Sequence, residues 1–184
     1  MMIMAGAPTR FPEDRPLKAD LGHWWVVHVK PNCEKMMATY LFNRGISYFL
    51  PMYRKKQRQG HFKRFKIIEE PLFRGYLCFA LEKEDHNLLY DTKKLVRIIQ
   101  VKDQEKFVQE LEAVARVAEK LDDLVVKPGL APGKKIMILS GPLEGTIGVI
   151  LRRRETKQLA LSVEMFNQTV LVRLDPDTEV EVLS

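Results

Sequence analysis

The chain has 184 residues, 46% hydrophobic and 29% charged, with a net charge of +6. That balance gives enough apolar mass for one ordinary domain or two small ones, and it excludes a disordered acidic tail, a collagen-like repeat and a coiled-coil rod. No apolar run approaches the ~18 residues of a membrane span, and two cysteines, Cys33 and Cys78, cannot build a disulfide framework, so a reducing compartment, the cytoplasm, is expected.

Residues 1–22 hold three prolines and no sustained period, which reads as a mobile leader. From His23 the pattern tightens. Trp24-Trp25-Val26-Val27-His28-Val29 is β-branched and aromatic, a buried strand ending at Pro31, with both tryptophans in the core. Asn32 is placed to cap a helix, and Glu34 falls in its first turn, where the helix dipole favours an acid. Cys33, Met37, Tyr40, Leu41 and Arg44 keep helical spacing up to a stop at Gly45. Met37 and Leu41 then face a sheet, while Lys30, Lys35 and Arg44 turn outward.

Residues 46–52 form a second extended run that Pro51 bends or places at an edge. A hairpin around Gly60 follows, and Pro71 opens a strand over 72–81. Residues 84–91 suit a short helix and 95–101 another strand. Asp103 can cap a long helix whose apolar face is Phe107, Val108, Leu111, Val114, Ala115, Ala118 and Leu121. Residues 23–121 therefore predict an α+β domain with an antiparallel sheet. Two prolines and a glycine mark 122–132 as a linker. Beyond it, short strands over 135–139, 145–151, 158–163, 169–174 and 179–183 suggest a small closed barrel, with Gly141, Gly145 and Gly148 at turns or bulges.

The positive charge is unevenly placed. Residues 128–184 carry seven Lys/Arg against seven acids, so the whole excess lies in 1–127. Residues 54–66, with Arg54, Lys55, Lys56, Arg58, Lys63, Arg64 and Lys66, hold seven bases among thirteen positions and no acid. A polyanion is the natural partner of such a run, although a solvated hairpin tip would also carry it. Phe62 and Phe65 lie among these bases, either to stack on nucleobases or to pin the hairpin to the body.

Catalytic chemistry is not indicated. His23, His28, His61 and His86 have no metal-ligand spacing, and the two cysteines are far apart. Gly129-Leu130-Ala131-Pro132-Gly133-Lys134 falls one residue short of a phosphate loop and is followed by Lys135 rather than Ser or Thr. No enzyme, metal or cofactor is expected.

The order Trp24-Trp25-Val26-Val27, capped helix, Phe49-Leu50-Pro51-Met52, basic hairpin and Glu70-Pro71-Leu72-Phe73-Arg74-Gly75-Tyr76-Leu77-Cys78-Phe79 resembles the N-terminal (NGN) domain of NusG-type transcription elongation factors. Residues 132–138 and 141–149 (Pro132-Gly133-Lys134 and Gly141-Pro142-Leu143-Glu144-Gly145 onward) resemble the family's KOW domain. The Pro51-Met52 and Glu70-Pro71-Leu72-Phe73 phrases are similar to specialised paralogues such as RfaH, which act on chosen operons.

The resemblance implies a four-stranded antiparallel sheet with flanking helices (23–121), a linker (122–132) and a five-stranded SH3-like barrel (133–184). It implies docking of the first domain on the clamp helices of RNA polymerase, which holds the clamp closed against pausing or termination. Tyr76, Leu95 and Val101 match the family's docking face, with a place in the core as the alternative for Leu95 and Val101. Lys30, Tyr40, Arg44 and Lys93 match positions that meet the non-template DNA strand, and the hairpin bases could meet that strand or nascent RNA. Phe166, Asn167 and Gln168 are placed at the barrel's partner edge, for a small-subunit ribosomal protein or Rho. A monomer with no membrane partner is expected.

In RfaH the tail refolds to a helical hairpin held partly by a Glu–Arg pair. Here Glu70 stands at the acid's position and Gln158 at the base's. Gly148 and the β-branched Val149, Ile150, Val163, Val170 and Val172 also disfavour a helix, so a permanent barrel is expected. The alternative is a KOW-containing RNA- or ribosome-binding protein, which would not need the phrase from Trp24 to Phe79.

Overall fold

A computed structural model describes residues 6–58, 60, 65–82, 87–122, 124–153 and 156–183, the side chains of 152 and 153 excepted. The chain divides into two compact units, Met1–Met52 with Pro71–Val108, and Tyr53–Glu70 with Gln109–Ser184. Among the described residues no helix is long and apolar enough to cross a membrane.

The first unit is built on β1 (Arg10–Phe11), β2 (His23–Val29), α1 (Glu34–Phe42) and β3 (Ser47–Phe49). β4 (Met52–Arg58) and β5 (Phe65–Pro71) form a separate two-stranded ribbon whose residues Tyr53–Glu70 belong to the second unit. β6 (Tyr76–Leu81), a 3-10 turn at Asn87–Thr92, β7 (Leu95–Gln100) and the start of α2 (Gln104–Lys120) follow, α2 belonging to the second unit from Gln109. The sheet runs β1-β3-β6-β2-β7 with every pairing antiparallel.

In β2 the side chains alternate. Trp25, Val27 and Val29 join Leu77, Phe79 and Tyr48 beneath Met37, Ala38 and Leu41 of α1. Trp24 and Val26 point to the other face and are buried too, so the strand reads as one continuous apolar run rather than an alternating one.

Several local ties depart from the expected pattern. α1 starts at Glu34 with Cys33 in the cap position and no side-chain cap bond. Asn32 instead adopts a left-handed φ of 61°, a conformation asparagine tolerates, and turns the chain out of β2. Glu34 is buried, and its Oε1 accepts the Gly75 N–H at 2.6 Å. Trp24 lies beyond the β2–β7 register, which begins at Trp25↔Gln100. Its backbone is completed by the Gln104 amide, which accepts from Trp24 N at 2.7 Å and donates to Trp24 O at 2.9 Å. Asp103 caps α2 as expected, accepting the Lys106 N–H at 3.0 Å.

The leader is not a free segment from residue 8 onward: Pro8 O accepts the Tyr48 hydroxyl and Thr9 O the Leu50 N–H. β1 pairs with β3 through Arg10↔Phe49 and Phe11↔Tyr48, which makes the sheet five-stranded rather than four-stranded. The Arg10 guanidinium donates to the carbonyls of Phe11, Tyr48 and Arg15 and forms an ion pair with the fully buried Asp20 carboxylate. Leu17 is buried, and its carbonyl accepts the Trp24 indole N–H at 3.3 Å. These ties are all tertiary, so a strand of two residues among prolines has no period to betray it.

In the second unit β8 (Val125–Pro128), β9 (Lys135–Ile138), β10 (Ile147–Arg153), β11 (Thr156–Val163), β12 (Gln168–Arg173) and β13 (Val180–Val182) form one antiparallel sheet. Its order is β13-β9-β10-β11-β12-β8, six strands where five were expected. The added strand falls inside the predicted linker. Val125 and Val126 pair with Leu171 and Val170, and Pro128 closes the strand opposite Gln168, tolerated because β8 is an edge. Ile136, Ile138, Leu159, Leu161, Val163, Val170 and Val172 make the core of this unit.

Candidate nucleic-acid interface

The positions expected to meet nucleic acid in the first unit gather where β2 ends, α1 passes and β7 begins. Lys30 is exposed, and its backbone N–H donates to Lys94 O at 2.9 Å. Lys93 is exposed in a left-handed turn of φ 54°. The Tyr40 hydroxyl donates to Leu88 O at 2.6 Å, and the Arg44 guanidinium lies 3.6 Å over the Tyr40 ring. One face of that ring is thus covered by a cation. A base would lie on the guanidinium plane or on the ring's other face. Lys94, exposed, and Tyr90, 57% exposed, belong to the same region and were not singled out in the sequence. Only the 3-10 turn, invisible to apolar periodicity, places them there.

The ribbon bases Arg54, Lys55, Lys56 and Arg58 are all exposed. Arg54 approaches Asp122 at 3.9 Å with both side chains open to solvent, a weak pair. Lys63 and Arg64, and with them His61 and Phe62, lie outside the described residues. Phe65 is 67% exposed, so it does not pin the ribbon to the body.

The three expected docking residues do not share one face. Tyr76 is half-buried and stacks on His28, with centroids 4.6 Å apart and planes 15° from parallel. In register, Tyr76, His28 and Arg97 form one row across β6, β2 and β7. Burial, and then the Arg97 charge, push the His28 pKa below its ordinary value and favour the neutral ring against Tyr76. Gly75, with φ 82°, lies so close that a Cβ there would meet the imidazole at 3.3 Å. Leu95 packs against the core cluster on the α1 side. Val101 is 4% exposed and supports the sheet from within.

In the second unit Phe166 is 5% exposed and sits inside the fold. Asn167 follows it in a left-handed turn of φ 50°, exposed, and Gln168 is half-buried at the start of β12. A concavity of about 370 Å³ lies beside this region, lined by Lys127, Leu130, Leu151, Gln158 and Leu171 among others. Among the described residues no cluster of His, Cys, Asp or Glu is arranged to hold a metal ion.

A family model described as "Transcription termination factor nusG" matches residues 22–120, the stretch from β2 through α2 and more than half of the chain. The match defines the class, that of transcription elongation or antitermination factors, a family that binds RNA polymerase. The chain belongs to the NusG family. No curated protein matches it.

Proposed function

We propose that this protein is a specialised, RfaH-like member of the family that serves particular operons. Its NGN-like part, residues 23–121, docks on the polymerase clamp helices and keeps the clamp closed, which reduces pausing or termination. Tyr76, stacked on His28 with Arg97 on the far side of that imidazole, is the aromatic anchor of that face, with Leu95 and Val101 holding the sheet. Lys30, Tyr40, Arg44 and Lys93 hold the non-template DNA strand by phosphate contacts and stacking, and the ribbon bases Arg54, Lys55, Lys56 and Arg58 with Lys63 and Arg64 add charge. The tail from residue 133 is read as a KOW-type barrel that recruits a ribosomal protein or Rho around Asn167 and Gln168.

The observation that carries this reading is the family match over 22–120, joined to the clustering of Lys30, Tyr40, Arg44 and Lys93 at one end of the matched sheet. A ribosome-binding module would leave that first unit without a role. Transcription in vitro through a pause site or terminator, with and without the protein, tests it. Readthrough is expected to rise, and an unchanged profile with polymerase bound would remove antitermination while leaving docking.

A further inference from the structure

The outer face of the tail sheet carries a concavity walled by the chain that leaves β8. Val170 and Val172 of β12 are buried in the core, so Thr169, Leu171 and Arg173 point outward. Residues opposite one another share a face, which places Lys127 and Val125 of β8, Gln158 of β11 and Leu151 of β10 on the same side. Residues 129–133 cross that face as a strap. The Gly129 N–H donates to Asn167 O at 2.7 Å, the Thr169 hydroxyl to Gly129 O at 2.8 Å, and the Ala131 N–H to the Ser162 hydroxyl at 3.2 Å. Gly133 then passes so near β10 that a Cβ would fall 2.6 Å from a Val149 methyl. Held by these ties, the strap keeps a space of about 370 Å³ open beside it.

Leu130, Leu151 and Leu171 make the lining mainly apolar, and no lining residue is acidic among those described. Leu130 is 50% and Val125 51% exposed, two apolar side chains left open on one face. Lys127 and Arg173 are exposed, and neither pairs with an acid among the described residues. They bracket Leu171, with Lys127 opposite Thr169 and Arg173 four residues further along β12. At the rise of a strand that offset is roughly 13 Å. An extended segment has the same period, so carboxylates at i and i+4 and a large apolar side chain at i+2 fall on one of its faces. Those three groups meet Lys127, Arg173 and the concavity together. A helix would turn the middle one away, and a small carboxylate would reach a single cation.

We infer that this groove docks an extended protein segment of the form acid-x-apolar-x-acid. This rests on the functional reading above and supplies the chemistry of the partner that the tail recruits.

The test is an amide NMR titration of the full chain with the peptide Gly-Ser-Glu-Ser-Leu-Ser-Glu-Ser-Gly. Three altered peptides accompany it, with the leucine replaced by serine, both glutamates by lysine, or the second glutamate moved one place along. Saturable shifts are expected at Lys127, Leu130, Leu171 and Arg173. Loss of the leucine weakens binding about tenfold or more, the worth of one buried aliphatic side chain. Lys127→Gln with Arg173→Gln weakens it about two- to thirtyfold, the span of two exposed ion pairs. Lys127→Glu with Arg173→Glu reverses the preference towards the lysine-flanked peptide. Absence of saturable shifts, shifts centred elsewhere, equal binding without the leucine or with the glutamate moved, or an unreversed preference would each overturn the inference. Capture of core RNA polymerase by the same chain separates the two proposals. Failed peptide binding with capture intact leaves the functional reading standing, and failed capture with groove binding intact removes that reading alone.

Discussion

Glu34 shows how much one side chain can hold. Its carboxylate is buried at the start of α1 and closes the turn before β6 through the Gly75 N–H. Hydrogen bonds to charged groups contribute about 1.5–3 kcal/mol, and a buried N–H left alone adds its own desolvation penalty. Glu34→Ala is expected to lower stability by about 2 kcal/mol in urea denaturation, whereas Glu34→Gln keeps an acceptor and most of the stability. Tyr48 gives a second, pH-dependent expectation. Burial, and secondarily Glu13, push its phenol from 10.0 up to about 12. An unfolded chain releases that proton first, so the contribution is complete below about pH 10 and is lost as pH rises towards 12. Tyr48→Phe gives up the bond to Pro8 O at 2.6 Å, about 1 kcal/mol near neutrality, and should flatten the alkaline decline in a pH series of thermal melts.

At the scale of elements, the close approach of β10 and β11 depends on Gly148. A Cβ there would come within 2.7 Å of the Leu159 and Leu161 methyls and 2.9 Å of Ala160 O. The methyls can turn aside, but the carbonyl belongs to the ladder. Gly148→Ala should therefore cost about 1–3 kcal/mol, read as a lowered denaturation midpoint. Elements of this kind were legible in the sequence in proportion to their periodicity. α2 announced itself through Asp103 and the Phe107–Leu111–Val114 stripe, and β2 through its aromatic and β-branched run. β1 and β8 did not, because each is held by partners far along the chain, Phe49 and Tyr48 for one and Val170 and Leu171 for the other. The candidate site divides in the same way. Lysines and arginines at an exposed edge could be read as charge, whereas the stack of Arg44 on Tyr40 and the His28–Tyr76 pair exist only once register and helix position are set.

For the whole molecule, each unit buries its own apolar set, Met37, Leu41 and Phe79 in the first and Ile136, Leu159 and Val172 in the second. Leu159→Ala should remove about 2–5 kcal/mol from the second unit. Calorimetry should show a lowered transition for that unit while RNA polymerase capture persists. Loss of capture in step with the melting of that unit would mean that docking does not reside in the first unit alone. Circular dichroism bears on the tail. With α-helices of only 9 and 17 residues in the described chain, helical signal in the full protein beyond these two would argue against a tail that stays in strands.

The matched region opens at residue 22, whereas Arg10, Phe11, Leu17 and Asp20 precede it and complete the sheet. A fragment trimmed to the homologous limits would bare the outer rim of β3, strip the Trp24 indole of its acceptor and leave an adhesive border for neighbouring molecules. Clumping of such a fragment during purification would reflect that amputation, not any inherent tendency of the intact factor to self-associate.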